Sequence, residues 1–153
     1  MADTVALAAL ALKALFGICV PGVSQGKLEQ NFPPDLIIPL TNAEKVEYAD
    51  AIKDDDLAYH IVSNDGFILM TTKGGFCRVI TGEGNTADAE RQFLAKLKEA
   101  GGHQDSLGKP DAGEELVNGV IPLGGGDIVA LVFTAESNGN SGFFASAFGA
   151  HKD

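Results

Sequence analysis

The stretch from Leu57 to Ile80, with HIVSNDGFILMTTKGGFCRVI inside it, constrains the fold more than any other part of the chain. Ala58–Val62, Phe67–Thr72 and Phe76–Ile80 are rich in β-branched and aromatic residues, which suit a pleated, half-buried strand. Between them, Asn64-Asp65-Gly66 and Gly74-Gly75 supply residues that tolerate the positive φ of tight hairpin turns. The pattern predicts a three-stranded antiparallel meander. Phe67 and Leu69 alternate with Ile68 and Met70, so both faces are apolar. Cover on both sides, or a tightly curled sheet, is therefore expected.

The N-terminal MADTVALAALALKALFGICV predicts a helix capped by Asp3 or Thr4. Val5, Ala8, Ala9, Leu12, Phe16 and Cys19 fall on one stripe at helical spacing and are expected to face the core. The segment lacks the basic start of a secretory signal, having Asp3 in its place, and Lys13 interrupts the apolar run. At roughly 16 apolar-rich residues it is too short and broken for a membrane span. If the protein is exported, its cleavable signal is expected to be missing from this sequence. Pro21-Gly22 should end the helix. An irregular connection follows through Pro33-Pro34 and Pro39, with Leu36–Ile38 extended. Thr41–Ile52 reads as a short polar helix capped by Thr41 or Asn42, with Val46 and Ala49 inward. Asp54-Asp55-Asp56 lacks the spacing of a calcium loop and reads as a solvated turn.

Asn85 caps the clearest helix, Thr86 to Ala100, whose stripe is Ala89, Phe93, Leu94, Leu97 and Ala100. Its cations lie late, where the dipole favours them, and Gly101-Gly102 stops it. His103–Gly113 reads as a polar loop. Glu115–Leu123, Asp127–Ala135 and Phe143–Ala150 form a second meander, turning at Gly124–Gly126 and Ser137–Gly142. The chain is thus expected to be a single α+β domain over residues 1–153. It should hold an antiparallel sheet of about six strands in α-βββ-α-βββ order, with two main helices. The repeated order fits either an internal duplication or the general habit of meanders.

The chain has 153 residues, enough to bury a core without crosslinks. Eleven basic against 21 acidic residues give a net charge of −10. The excess is even: four basic against nine acidic residues up to Asp56, and seven against twelve after it. Nucleic acid and anionic membranes are disfavoured as partners, while a cationic protein or a small molecule is allowed. With only two arginines, Arg78 and Arg91, phosphate recognition by an arginine cluster is not expected.

Catalytic signatures are missing. Gly124–Gly126 has neither a GK[ST] tail nor a following helix, and Ser141-Gly142 has no GxSxG frame. No residue is assigned as catalytic. His60, His103 and His151 have no metal-like spacing to either cysteine, so neither a metal nor a cofactor is expected. Arg78 stands in an otherwise apolar strand and could meet a ligand carboxylate in a groove of the sheet. The alternative is that it reaches solvent or a local acid. His60, flanked by Tyr59 and Ile61, is the second possible ligand contact. Phe143, Phe144 and Phe148 are core residues or a pocket lining. The two cysteines admit one disulfide in an exported protein or two buried thiols in a cytosolic one.

ALFGICV in the first helix and GFCRVI after a strand turn resemble a family of small uncharacterised bacterial exported proteins. Those proteins carry one cysteine at the end of the N-terminal helix and one in a C-R-V strand. The resemblance implies a disulfide between Cys19 and Cys77, tying helix to sheet, and a periplasmic or secreted location. The cytoplasm is the alternative. The family brings no known activity. The expected function is a non-enzymatic exported binding or interaction protein. Its alternatives are a small-ligand carrier with a pocket near Arg78 and an enzyme with no recognisable motif.

Overall fold

A computed structural model of the chain describes residues 3–26, 32–53, 56–105 and 112–151. It is an α+β fold built on one antiparallel sheet of eight strands. The strands are β1 (Ile37–Pro39), β2 (Leu57–Ile61), β3 (Ile68–Lys73), β4 (Phe76–Thr81), β5 (His103–Asp105), β6 (Glu114–Gly124), β7 (Asp127–Glu136) and β8 (Phe143–His151). Their spatial order is β1-β2-β3-β4-β8-β7-β6-β5. Both expected meanders are present, β2-β3-β4 and β8-β7-β6, and they join edge to edge through β4 and β8. The count rises from six to eight because β1 and β5 add one strand to each margin. Three residues are too few to show an alternating pattern, and such short edges limit pairing with other chains. The residues of the His103–Gly113 loop that follow β5 lie outside the described ones up to residue 111, as do Asp54 and Asp55 of the acidic turn.

The first helix runs further than its sequence suggests. It comprises α1 (Thr4–Ala14), a π segment (Leu15–Cys19) and α2 (Val20–Gln25). Asp3 caps it by accepting from the Ala6 N–H at 3.0 Å. Pro21 has no N–H to give and crowds the carbonyl one turn back. The wider π turn just before it, closed by the Val20 N–H on the Leu15 carbonyl, accommodates the ring without a break. Gly26, at φ 67, is the actual stop, its N–H returning to the Gly22 carbonyl. By length and composition this 22-residue helix could cross a membrane, contrary to the expectation from Lys13 and Pro21-Gly22. Here one side of it is buried against the sheet.

That side is Leu7, Ala8, Ala11, Leu12, Ala14, Leu15, Cys19 and Val23. Val5 is 55% exposed, and Ala9 and Phe16 are only half-buried, so the predicted stripe is corrected. An almost uniformly apolar helix offers little contrast between faces, and the π segment shifts the phase midway. α4 (Thr86–Glu99) follows most of its predicted pattern: Asn85 caps it and Ala89, Phe93 and Leu97 are buried, whereas Leu94 is half-buried and Ala100, past the last turn, is exposed. Both long helices lie on one face of the sheet. Leu7, Leu12, Leu15, Phe93, Leu97, Val79, Leu131 and Phe133 form the core between them. Rings run through it from Phe16 to Phe93, Phe133 and Phe143, with centroids 5.3–5.7 Å apart.

The opposite face is covered differently. α3 (Asn42–Glu47) begins in a capping box, where Thr41 and Glu44 bond each other's backbone N–H. Val46 is 78% exposed and Ala49 is exposed, contrary to expectation. The inward residues come after the helix: Tyr48, Ala51 and Ile52 pack on Leu40, Ala58 and Leu69. This small second core covers part of β2 and β3. Among the described residues, no helix lies over β8, β7 and β6 on this side.

Candidate functional site

β4 separates its residues strictly by face. Cys77, Val79 and Thr81 are buried on the helix side, whereas Phe76, Arg78 and Ile80 are half-buried on the other. The C-R-V motif therefore points two ways. Cys77 meets Cys19 in a disulfide with Cα atoms 5.5 Å apart, a normal spacing for the bond. It links the end of the π segment to the middle of the sheet, and no cysteine is left free.

Arg78 points to the face without long helices. Strand register puts it in a row that crosses the sheet: Ala58, Thr71, Arg78, Ser146, Val132 and Asn118. Its Nε donates to Ser146 Oγ at 3.0 Å. The guanidinium carbon lies 5.0 Å from the Phe76 ring centroid and 5.3 Å from that of Phe144. Cation–π contacts of this kind contribute about 0.5–1 kcal/mol each when exposed and more when desolvated. The two rings and one hydroxyl thus fix the guanidinium plane on a mixed surface, with rings along the strand and Thr71 and Ser146 across it. Among the described residues, no acidic side chain forms an ion pair with it. Of its five N–H donors, Ser146 takes one.

Two cavities share Ile80, the next residue of β4 on the same face, although Arg78 itself lines neither. One of about 300 Å³ is walled by Tyr48, Phe67, Leu69, Ile80, Ala51 and Leu7, with Gly82 and Glu83 completing the lining. Tyr48 and Phe67 stack there with centroids 4.4 Å apart and planes 7° from parallel. Burial, then the charges of Glu47 and Glu44, push the Tyr48 phenol pKa upward, so the hydroxyl stays protonated. The other cavity, about 440 Å³, includes Phe144, Thr134, Ser141, Glu114 and Glu136. Glu114 and Glu136 face each other across β6 and β7 at its rim.

His60 is on the same sheet face as Arg78 but two strands across and two residues along from it, about 12 Å by strand geometry. It sits beside α3, with Nδ1 3.4 Å from Glu44 Oε2 and its ring 5.8 Å from that of Phe67. It lines neither cavity. The two predicted contacts are therefore not brought together. Phe143, Phe144 and Phe148 also separate: Phe143 is buried beneath the helices, while Phe144 and Phe148 lie on the Arg78 side. Sequence reasoning missed Phe76, Ser146 and Tyr48. The first two could have been found by applying the period-2 rule to β4 and β8 once their pairing was known.

No family model, curated protein or solved structure matches this chain.

Proposed function

We propose that this chain is a non-enzymatic, exported binding protein whose recognition surface is the sheet face around Arg78. The Arg78 arrangement supports this reading most directly. A half-buried cation held against two rings loses part of its solvation, and a single hydrogen bond to a neutral hydroxyl with two ring contacts offsets only part of that cost. Burying a carboxylate against it would offset the rest. A fixed guanidinium with spare donors beside two cavities is suited to a ligand that brings an anion and apolar surface together. A purely cationic partner fits this face less well, since it would have to meet Arg78.

Export is supported by the Cys19–Cys77 disulfide, which is compatible with an oxidising compartment. The net charge of −10 suits a soluble carrier, and no catalytic group is needed for such a role.

Native mass spectrometry of protein purified from its own host, beside an Arg78→Ala variant, tests the reading. A bound mass that the variant loses is expected. A protein that carries nothing, and whose melting temperature responds to no member of a broad anion panel, overturns it.

A further inference from the structure

We infer that the ligand is a monocarboxylate with a compact apolar body, held by Arg78 at its head and by the Tyr48–Phe67–Leu69–Ile80 cavity at its tail; this inference rests on the reading of that face as a binding surface. The head group follows from the donors. Ser146 occupies Nε, and the two rings hold the guanidinium plane, so the pair of Nη nitrogens remains as a two-donor edge. A planar carboxylate matches that edge with two parallel hydrogen bonds. A phosphate dianion would meet one guanidinium within a molecule of net charge −10, where dianion sites ordinarily gather several cations.

The tail follows from the neighbouring surface. Ile80 lies two residues from Arg78 on the same face, a step of about 7 Å along the strand. Beyond it, the 300 Å³ cavity is walled mainly by one stacked aromatic pair and aliphatic side chains, with Glu83 as its one charged lining residue. That volume is at the lower end of small-molecule sites and suits a medium acyl chain or a single aromatic ring. Two carboxylates, Glu114 and Glu136, line the larger cavity and one, Glu83, lines the smaller, so the smaller repels an anion less and is the better seat for the apolar body.

Isothermal titration of the oxidised protein with octanoate, 1-octanol and octylamine provides the test. Octanoate should bind at least about tenfold tighter than either analogue, because only it makes charge-assisted bonds to Arg78. Arg78→Gln should remove that advantage. Arg78→Lys should retain part of it, since the charge stays while the two-donor edge is lost. Ala51→Phe, which fills the cavity from a half-buried position, should weaken octanoate and octanol alike. Circular dichroism melts identify any variant that fails to fold, leaving the analogue comparison in the native protein decisive. Equal binding of octanoate and octanol, untouched by Arg78→Gln, overturns the carboxylate assignment. Octanoate binding insensitive to Ala51→Phe overturns the cavity assignment. An Arg78-dependent mass in the host-purified protein that is not a carboxylic acid overturns the inference and leaves the binding surface standing. A complete lack of binding by octanoate and of any carried mass sinks both.

Discussion

The two halves of the molecule share a plan and differ in how each fixes its helix. In each half a long helix is followed by a three-residue edge strand and then a three-stranded meander. The strand order β1-β2-β3-β4-β8-β7-β6-β5 reads the same from either margin, with the β4–β8 seam at its centre. In the second half, α4 has a clear apolar stripe and a charged outer side, so its sequence alone orients it on β5, β6 and β7. In the first half the helix is apolar nearly all round, and several rotations would bury similar area. There the Cys19–Cys77 bond specifies which side faces the sheet. A helix without a distinctive face needs a pin; an amphipathic one does not.

The largest expected effect comes from removing that pin. The cysteines are 58 positions apart, and closing such a loop contributes about 4 kcal/mol in the chain-entropy model. Cys19→Ala with Cys77→Ser should lower the melting temperature by roughly 10 °C. Hydrogen exchange should rise in residues 4–25 while α4 stays protected. An unchanged melt, or equal loss of protection in both helices, would show that packing alone orients the first helix. Next in size is the seam between the halves. Gly142, at φ 83, immediately precedes β8 so close to β4 that an added Cβ would clash with the Thr81 carbonyl oxygen. Gly142→Ala should cost about 3 kcal/mol through backbone strain and this clash, measured by urea unfolding. A loss below about 0.5 kcal/mol would mean that the seam yields easily.

How much was legible follows the same division. α4, its Asn85 cap and both meanders could be read because each rests on local pattern: a stripe at period 3.6, alternation at period 2, or glycine turns. The core side of the first helix could not be read, since Val5 and Leu7 look alike to a hydropathy pattern and a π turn moves the phase. Val46 misled because a six-residue helix buries nothing, and the packing passes to Tyr48 and Ile52 beyond it. At the candidate site, Arg78 stood out as a cation in an apolar strand. Its partners were hidden because Ser146 is 68 positions away and becomes a neighbour only through the β4–β8 pairing. The cavity beside it needs the α3 segment folded over the sheet, which no local pattern predicts.

That segment is the clearest asymmetry between the halves, and its capping box makes it testable. The Thr41 hydroxyl accepts the Glu44 N–H at 3.2 Å, and Glu44 accepts the Thr41 N–H at 2.9 Å. The latter bond is the main reason the Glu44 carboxyl titrates below its usual range; the nearby His60 adds a smaller effect. Thr41→Ala should cost about 1 kcal/mol. If Tyr48 then swings away from Phe67, octanoate binding should weaken more than global stability does. Unchanged binding would show that the aromatic wall is held without the cap.

The smallest effect concerns the second half, where α4 crosses β6. Burial raises the Glu90 pKa above its ordinary 4.5, and a hydrogen bond and charge repulsion from Glu115 raise it further. Its Oε1 is buried with no hydrogen-bond partner among the described residues. A carboxyl with a raised folded-state pKa contributes stability below 4.5, where both states are protonated. That contribution is lost as pH rises from the unfolded-state value through the folded one. Melting temperature should therefore fall as pH rises above about 4.5 by an amount that Glu90→Gln removes, because the amide keeps the shape of the protonated acid without ionising. Parallel pH profiles for the two proteins would place the titration elsewhere. A flatter profile would show that α4, although oriented by its own sequence, carries an electrostatic penalty at neutral pH where it meets β6.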